Sequence, residues 1–163
     1  NGMQRKKFLL IIKLIKNKLK ILYLNNNIDY RLVSDIKSSI YIYPNNKFSF
    51  YIIRNFFLNL SLCKEIFFNF IFIMDRKVNI ICFYDKVICF NFYDLCFSPR
   101  GQLDYIYICE KYKIVIVFNV PILNDKEDAL KRFIMLVDIL YDNNIILFIC
   151  SDVSLYDLYC EQN

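Results

Sequence analysis

Asn119, Ser151 and Asp152 are the polar residues best placed to do chemistry, because each follows an apolar run of strand length. Asn119 lies at the end of Lys113-Ile114-Val115-Ile116-Val117-Phe118-Asn119-Val120, and Ser151-Asp152 follows Ile145 to Cys150. Uninterrupted apolar runs suit parallel strands covered on both faces, and parallel sheets bind ligands beyond the carboxyl ends of their strands. Asp125, Glu127 and Asp128 resemble paired catalytic carboxylates, but clustered in the first turn of a helix they read as caps favoured by its dipole. Arg132 stands one turn after Asp128 and reads as a surface ion pair, of about 0.3–0.5 kcal/mol. Arg100 precedes a helix start; it has the charge to hold an anion but reads first as a turn residue. Arg31, in a strand beside Asp29, reads as facing solvent.

Much chemistry is excluded outright. With no histidine in the chain, it can assemble neither a Ser-His-Asp triad nor a Cys-His pair, and it has no histidine base. The only glycines are Gly2 and Gly101, so there is no G-x-x-x-x-G-K loop to cradle phosphates. Cys63, Cys82, Cys89, Cys96, Cys109, Cys150 and Cys160 are spread through apolar segments without a C-x-x-C. They lack zinc-site spacing and read as buried thiols of a reducing compartment.

The positioning elements follow from periodicity. Pro121 stops the run that begins at Lys113. Asn124 then stands where an N-cap belongs, with Glu127 three residues on as its capping-box partner. Leu130, Phe133, Ile134, Val137, Leu140 and Tyr141 recur at helical spacing, and Asp142-Asn143-Asn144 ends the helix before Ile145 to Cys150. That is one strand–helix–strand crossover, a unit that is almost always right-handed. Upstream, residues 3–17 read as a basic surface helix, and Lys20 to Leu24, Ile28 to Val33 and Ser39 to Tyr43 as strands. Phe48 to Phe67 reads as a helix. Lys77 to Tyr84 and Lys86 to Phe92 read as a hairpin turning at Asp85-Lys86, followed by a short helix at Tyr93 to Phe97 and a helix from Gln102 to Lys111. No low-complexity linker divides these pieces.

Hydrophobic residues make up 57% of the 163 residues. The longest uncharged run, Ile114 to Asn124, is nevertheless eleven residues, whereas a spanning helix needs about 20. Ile, Asn, Lys, Phe and Tyr dominate and Ala129 is the sole alanine, a bias of A/T-rich codons that weakens any argument from lysine or tyrosine content alone. Net charge runs from +7 over residues 1–44 through +2 over 45–111 to −4 over 112–163. Such polarity suits subunits packing basic face to acidic face. It also suits nucleic acid at the basic end, a reading set aside because no stacking motif accompanies the lysines.

Three ordered blocks carry a family resemblance. The first is Asn1-Gly2-Met3-Gln4-Arg5 with Phe8-Leu9, and the second is Asp29-Tyr30-Arg31. The third begins with Phe92-Tyr93-Asp94-Leu95-Cys96, Pro99-Arg100-Gly101, Asp104-Tyr105 and Val120-Pro121. It continues through Arg132-Phe133-Ile134, Leu136-Val137-Asp138, Leu140-Tyr141-Asp142, Ser151 and Leu155 to Tyr159. In this order the blocks resemble the ZapE-type cell-division ATPases and the mitochondrial lactation-elevated ATPases of the AAA+ superfamily. Residues 45–90 match weakly.

The resemblance implies an α/β chain forming part of a P-loop AAA+ fold, with a parallel strand–helix–strand unit at its C-terminal end. Residues 1–44 would end the AAA+ core, 45–111 would form a family-specific insert with a helix, a β-hairpin and a further helix, and 112–163 the strand–helix–strand unit. It implies the C-terminal portion of a cytoplasmic ATP hydrolase that acts on a protein substrate in cell division or quality control. Homo-oligomeric ring partners are implied, with no nucleic acid and no transmembrane segment. ATP and Mg2+ are the cofactors at family level; the Walker motifs would lie upstream of Asn1 and the sensor-two arginine downstream, so this chain alone is not expected to be active.

Arg5 is the catalytic residue the resemblance singles out, as an arginine reaching a neighbouring subunit's nucleotide, where its planar fork pairs with phosphate. The competing reading is a surface cation near a helix start. Three departures stand out: Met3 for the usual leucine, Leu10 where a proline is common, and Asn119 where relatives often carry an acid. A non-catalytic interaction remnant of such an ATPase is the alternative function.

Overall fold

The computed structural model describes residues 17, 19–23, 39–60 and 70–158. In chain order its elements are β1 (Leu19–Tyr23), β2 (Ser39–Tyr43), α1 (Lys47–Leu60), β3 (Phe70–Ile73), β4 (Arg76–Asn79), β5 (Cys82–Tyr84) and β6 (Val87–Asn91). A π-helical turn (Tyr93–Phe97) follows, then α2 (Gln102–Lys111), β7 (Ile114–Val120), α3 (Glu127–Asp142) and β8 (Ile146–Ser151).

The apolar runs become neighbouring strands of one six-stranded sheet ordered β1-β2-β8-β7-β6-β5. Every pairing in it is parallel except β5 with β6. This is the α/β, mostly parallel architecture expected, and α3 makes the β7-to-β8 crossover. The sheet draws strands from all three stretches distinguished in the sequence.

Strand side chains alternate between faces. Tyr41, Ile88, Phe90, Val115, Val117, Leu147 and Ile149 enter one core with Tyr105 and Ile108 of α2 and Phe133, Leu136, Val137 and Leu140 of α3. Ile40, Ile42, Cys89, Ile116, Phe118, Phe148 and Cys150 enter the other, with Ile52 and Ile53 of α1. Coverage on both faces is why β7 is apolar from Ile114 to Phe118 and β8 from Ile146 to Cys150, rather than at every second residue.

Three expectations needed correction. Lys77 to Tyr84 is two strands, not one. Arg76–Asn79 pairs antiparallel with Phe70–Ile73 in a separate two-stranded sheet, while Cys82–Tyr84 pairs with β6 around the Asp85-Lys86 turn. Val78, Ile80 and Cys82 are all buried, so the period-two pattern runs through the break; it reports burial and is blind to a change of partner. Second, α3 opens at Glu127 with Lys126 at the N-cap position and no side-chain cap bond. The Lys126 amide instead donates to the Leu123 carbonyl at 3.2 Å, closing a turn over Asn124 and Asp125 before the helix begins. Third, Tyr141 is 47% exposed and Leu136 is buried, so the apolar stripe of α3 is rotated slightly from the predicted one.

Helices at Tyr93–Phe97 and Gln102–Lys111 stand where expected, the first as a π turn. The predicted helix over residues 3–17 and the strand Ile28 to Val33 lie outside the described residues, except that Asn17 is helical. So does the end of the helix predicted to Phe67. Among the described residues no helix is long and apolar enough to cross a membrane.

Candidate functional site

The carboxyl edge of the parallel sheet is the first place to look, and its polar groups are turned on one another. Asn119 has φ +58°, a left-handed conformation that Asn tolerates better than most side chains. It sits where the β7–β8 register shifts between Val117 and Val120. The Asn45 side-chain amide donates to the Asn119 Oδ1 at 2.6 Å. Asn45 follows β2 and Asn119 belongs to β7, so this amide pair bridges the end of β8, which lies between them in the sheet.

Beneath that bridge, Ser151 is fully buried. Its hydroxyl donates to the Val120 carbonyl at 2.8 Å and accepts from the Val153 amide at 3.4 Å. The Tyr41 hydroxyl donates to the Val153 carbonyl at 3.0 Å, and burial holds its phenol far above the usual range, so it stays a neutral donor. Even the N-terminus of α1 is occupied from within, since Asn46 Oδ1 accepts from the Phe48 and Ser49 amides at 2.9 and 3.1 Å. Asp152 is exposed at the edge.

The second constellation surrounds the π turn. A helix leaves its last carbonyls without partners inside itself, and in this turn a closing bond runs from the Ser98 amide to the Tyr93 carbonyl, 3.2 Å. Each of the next four carbonyls accepts from a side chain outside the turn. Arg100 Nε donates to Asp94 at 3.3 Å, the Tyr105 hydroxyl to Leu95 at 2.9 Å, and Arg132 Nη1 to Cys96 and Phe97 at 3.0 and 3.5 Å. These donors come from the loop after the turn, from α2 and from α3, so the knot ties three elements to one point.

A buried carboxylate extends the knot. Asp104, 1% exposed, accepts from the Gly101 amide at 2.7 Å and forms an ion pair with Arg76 of β4. Arg76 also donates to the Pro99 carbonyl at 3.0 Å and Arg100 to the Lys77 carbonyl at 3.5 Å. The small β3–β4 hairpin is thereby held against the start of α2. The described cysteines, Cys82, Cys89, Cys96, Cys109 and Cys150, are all buried and unbridged, as expected.

Neither constellation fits ATP and Mg2+. The chain has no glycine loop, Asn119 supplies an amide already engaged by Asn45 where a carboxylate would be wanted, and no group of three potential metal ligands occurs among the described residues.

Arg5, the predicted catalytic residue, lies outside the described residues, as do Arg31, Met3 and Leu10. Arg132 does not pair with Asp128: its guanidinium is drawn to the π-turn carbonyls, and Asp128 and Glu127 lie 3.6 and 3.9 Å from Lys131. Arg100 is the turn residue it was read as. Glu127 and Asp128 occupy the first turn of α3. Sequence reasoning missed Arg76 and the amide of Asn45, and it read Asp104 only as part of a family block, although its spacing of three from Gly101 marks a capping box.

Comparison with known proteins adds an independent finding. A family model described as AFG1-like ATPase matches residues 1–163. An uncharacterized protein of Schizosaccharomyces pombe is 30% identical over 162 residues, covering 98% of this chain and 36% of that protein. The Escherichia coli K12 cell division protein ZapE is 28% identical over 160 residues, 98% of this chain and 43% of that protein. Lactation elevated protein 1 homolog B of Danio rerio is 26% identical over 163 residues, 95% of this chain and 32% of that protein. The chain thus spans less than half the length of these relatives. No solved structure matches it.

Proposed function

The chain belongs to the AFG1-like ATPase family, and on that premise we propose that it is the C-terminal portion of an AAA+ ATP hydrolase whose nucleotide-binding loop is supplied from outside these residues. One observation carries the reading: the family match runs through all 163 residues. The knot supports it, because Arg100, Tyr105 and Arg132, all from the ordered family blocks, make one physical object. By that account the family text in this stretch specifies a scaffold, and the chemistry is done elsewhere.

Arg5 is the proposed contribution of this chain to hydrolysis, a guanidinium offered to the nucleotide of a neighbouring subunit in a homo-oligomeric ring. A protein substrate in cell division, in a cytoplasmic setting, is the proposed role, suggested by the name of the E. coli relative. The test is ATP turnover by the chain alone, and by the chain joined to or mixed with a P-loop-bearing half from the same family. Turnover is expected only with the P-loop half, and Arg5→Ala is expected to lower it by about 10³-fold or more. Turnover indifferent to Arg5→Ala removes the arginine from the mechanism.

The second reading is a non-catalytic interaction module. The engaged Asn45–Asn119 amides favour it, because they leave the end of β7 with a satisfied amide in place of a carboxylate. Absence of turnover in every combination, with the two halves still binding each other, selects this reading.

A further inference from the structure

Cys82 and Cys89 stand directly opposite each other across the antiparallel β5–β6 pair. Both are buried, at 8% and 0% exposure, and both are unbridged thiols. Neither takes part in the knot or the sheet edge described above. Residues opposed in an antiparallel pair have Cα atoms about 4.5–5.5 Å apart, inside the roughly 4.4–6.8 Å range that a disulfide spans. Their Cβ atoms, about 4.5–5.5 Å apart, must close toward about 3.8 Å. β5 is three residues long and, among the described residues, is the terminal strand of the sheet, so it can shift toward β6 without dragging another described strand.

From this geometry we infer that Cys82 and Cys89 form a reversible dithiol–disulfide site, oxidised by small-molecule disulfides. Cys82 is the attacking group and Cys89 the resolving one. The neighbouring Cys89 thiol lowers the pKa of Cys82, while burial and the Cys82 neighbour raise that of Cys89. Cys82 also lies on the edge strand and is the more exposed of the two.

In the first step the Cys82 thiolate attacks one sulfur of the small disulfide, and that S–S bond breaks to release one small thiolate. In the second, Cys89 loses its proton and attacks the Cys82 sulfur, forming the Cys82–Cys89 bond and expelling the second small thiolate. Two protein thiols are oxidised and one small disulfide is reduced to two thiols. Both exchange steps run backward when small thiols are in excess, which returns the site to the dithiol. Cys150 shares the same core face but lies on β8, two strands from β6. At about 4.8 Å per strand that is beyond disulfide reach.

Equilibration of the whole chain with glutathione and glutathione disulfide, acid trapping, alkylation and tryptic mapping tests the site. Lys86 separates the two cysteines, so trypsin leaves them on different peptides unless they are joined. The expected result is loss of two of the seven thiols, a cross-link between the Cys82 and Cys89 peptides, and its full reversal by dithiothreitol. Cys89→Ser is expected to arrest Cys82 as a glutathione mixed disulfide, and Cys82→Ser to leave Cys89 unmodified. Both cysteines still alkylated after unfolding of the fully oxidised chain, or a cross-link that joins other cysteines instead, overturns the inference. The wild-type map decides the matter even if a serine variant fails to fold.

Discussion

The hydroxyl of Tyr105, on α2, donates to the carbonyl oxygen of Leu95 at 2.9 Å inside the main core. It is one of four side-chain bonds that complete the π turn, and its acceptor has no alternative partner in water. Tyr105→Phe keeps the ring and deletes the donor. Leaving a buried carbonyl unsatisfied costs about 1–3 kcal/mol, read as a lowered urea midpoint with an unchanged slope. A midpoint equal to wild type would show that this bond does not hold the knot.

Arg132 offers a sharper contrast, because its spacing suits a pair with Asp128 while its guanidinium is bonded instead to the Cys96 and Phe97 carbonyls. Arg132→Met removes charged hydrogen bonds and is expected to cost about 1.5–3 kcal/mol. Asp128→Asn, which disturbs only the exposed pair with Lys131, is expected to change stability by less than about 0.5 kcal/mol. A double-mutant cycle between the two positions should give a coupling near zero.

Asn119 tests the backbone at the sheet edge. Its φ of +58° disfavours a β-branched side chain by about 1–2 kcal/mol, so Asn119→Val is expected to lower the thermal midpoint. Asn119→Gly accepts the same φ freely and gives up only the exposed amide bond to Asn45, so it should lie closer to wild type. The reverse order would mean that the amide bridge, not the backbone, dominates there.

Stability is expected to fall on the alkaline side. Burial pushes the Cys109 thiol from about 9 up to about 11, and Cys96 and Cys150 are raised further by the same cause. Each folded thiol keeps its proton where the unfolded chain has released it. The stabilisation is therefore complete below about pH 9 and is lost as pH rises through about 11, the sign that linkage requires. Unfolding midpoints measured from pH 8 to pH 11 should drop, and Cys109→Ala should flatten part of that drop.

Much of the fold is legible along the chain. Val115, Val117, Ile116 and Phe118 announce a strand buried on both faces, and β7 is such a strand. Leu130, Phe133, Val137 and Leu140 announce the inner face of α3, and all four are buried. Local periodicity suffices there, because which side is covered is written at intervals of two or 3.6 residues. The division of Lys77 to Tyr84 between two hairpins was not legible, since Val78, Ile80 and Cys82 keep one alternation across the change of partner.

The sequence by itself determined the α/β class, the strand–helix–strand unit and the ordered blocks that identify the family, because those are properties of near neighbours in the chain. It also excluded a nucleotide-cradling loop and histidine chemistry, since two glycines and no histidine cannot be rearranged into either. Only the tertiary structure decided what the block residues do. Arg132 reaches Cys96 across 36 positions and Arg76 reaches Asp104 across 28, contacts set by where helices and hairpin cross. An arginine's reach depends on which carbonyls the fold leaves without partners, and that is settled when the π turn is packed between α2 and α3.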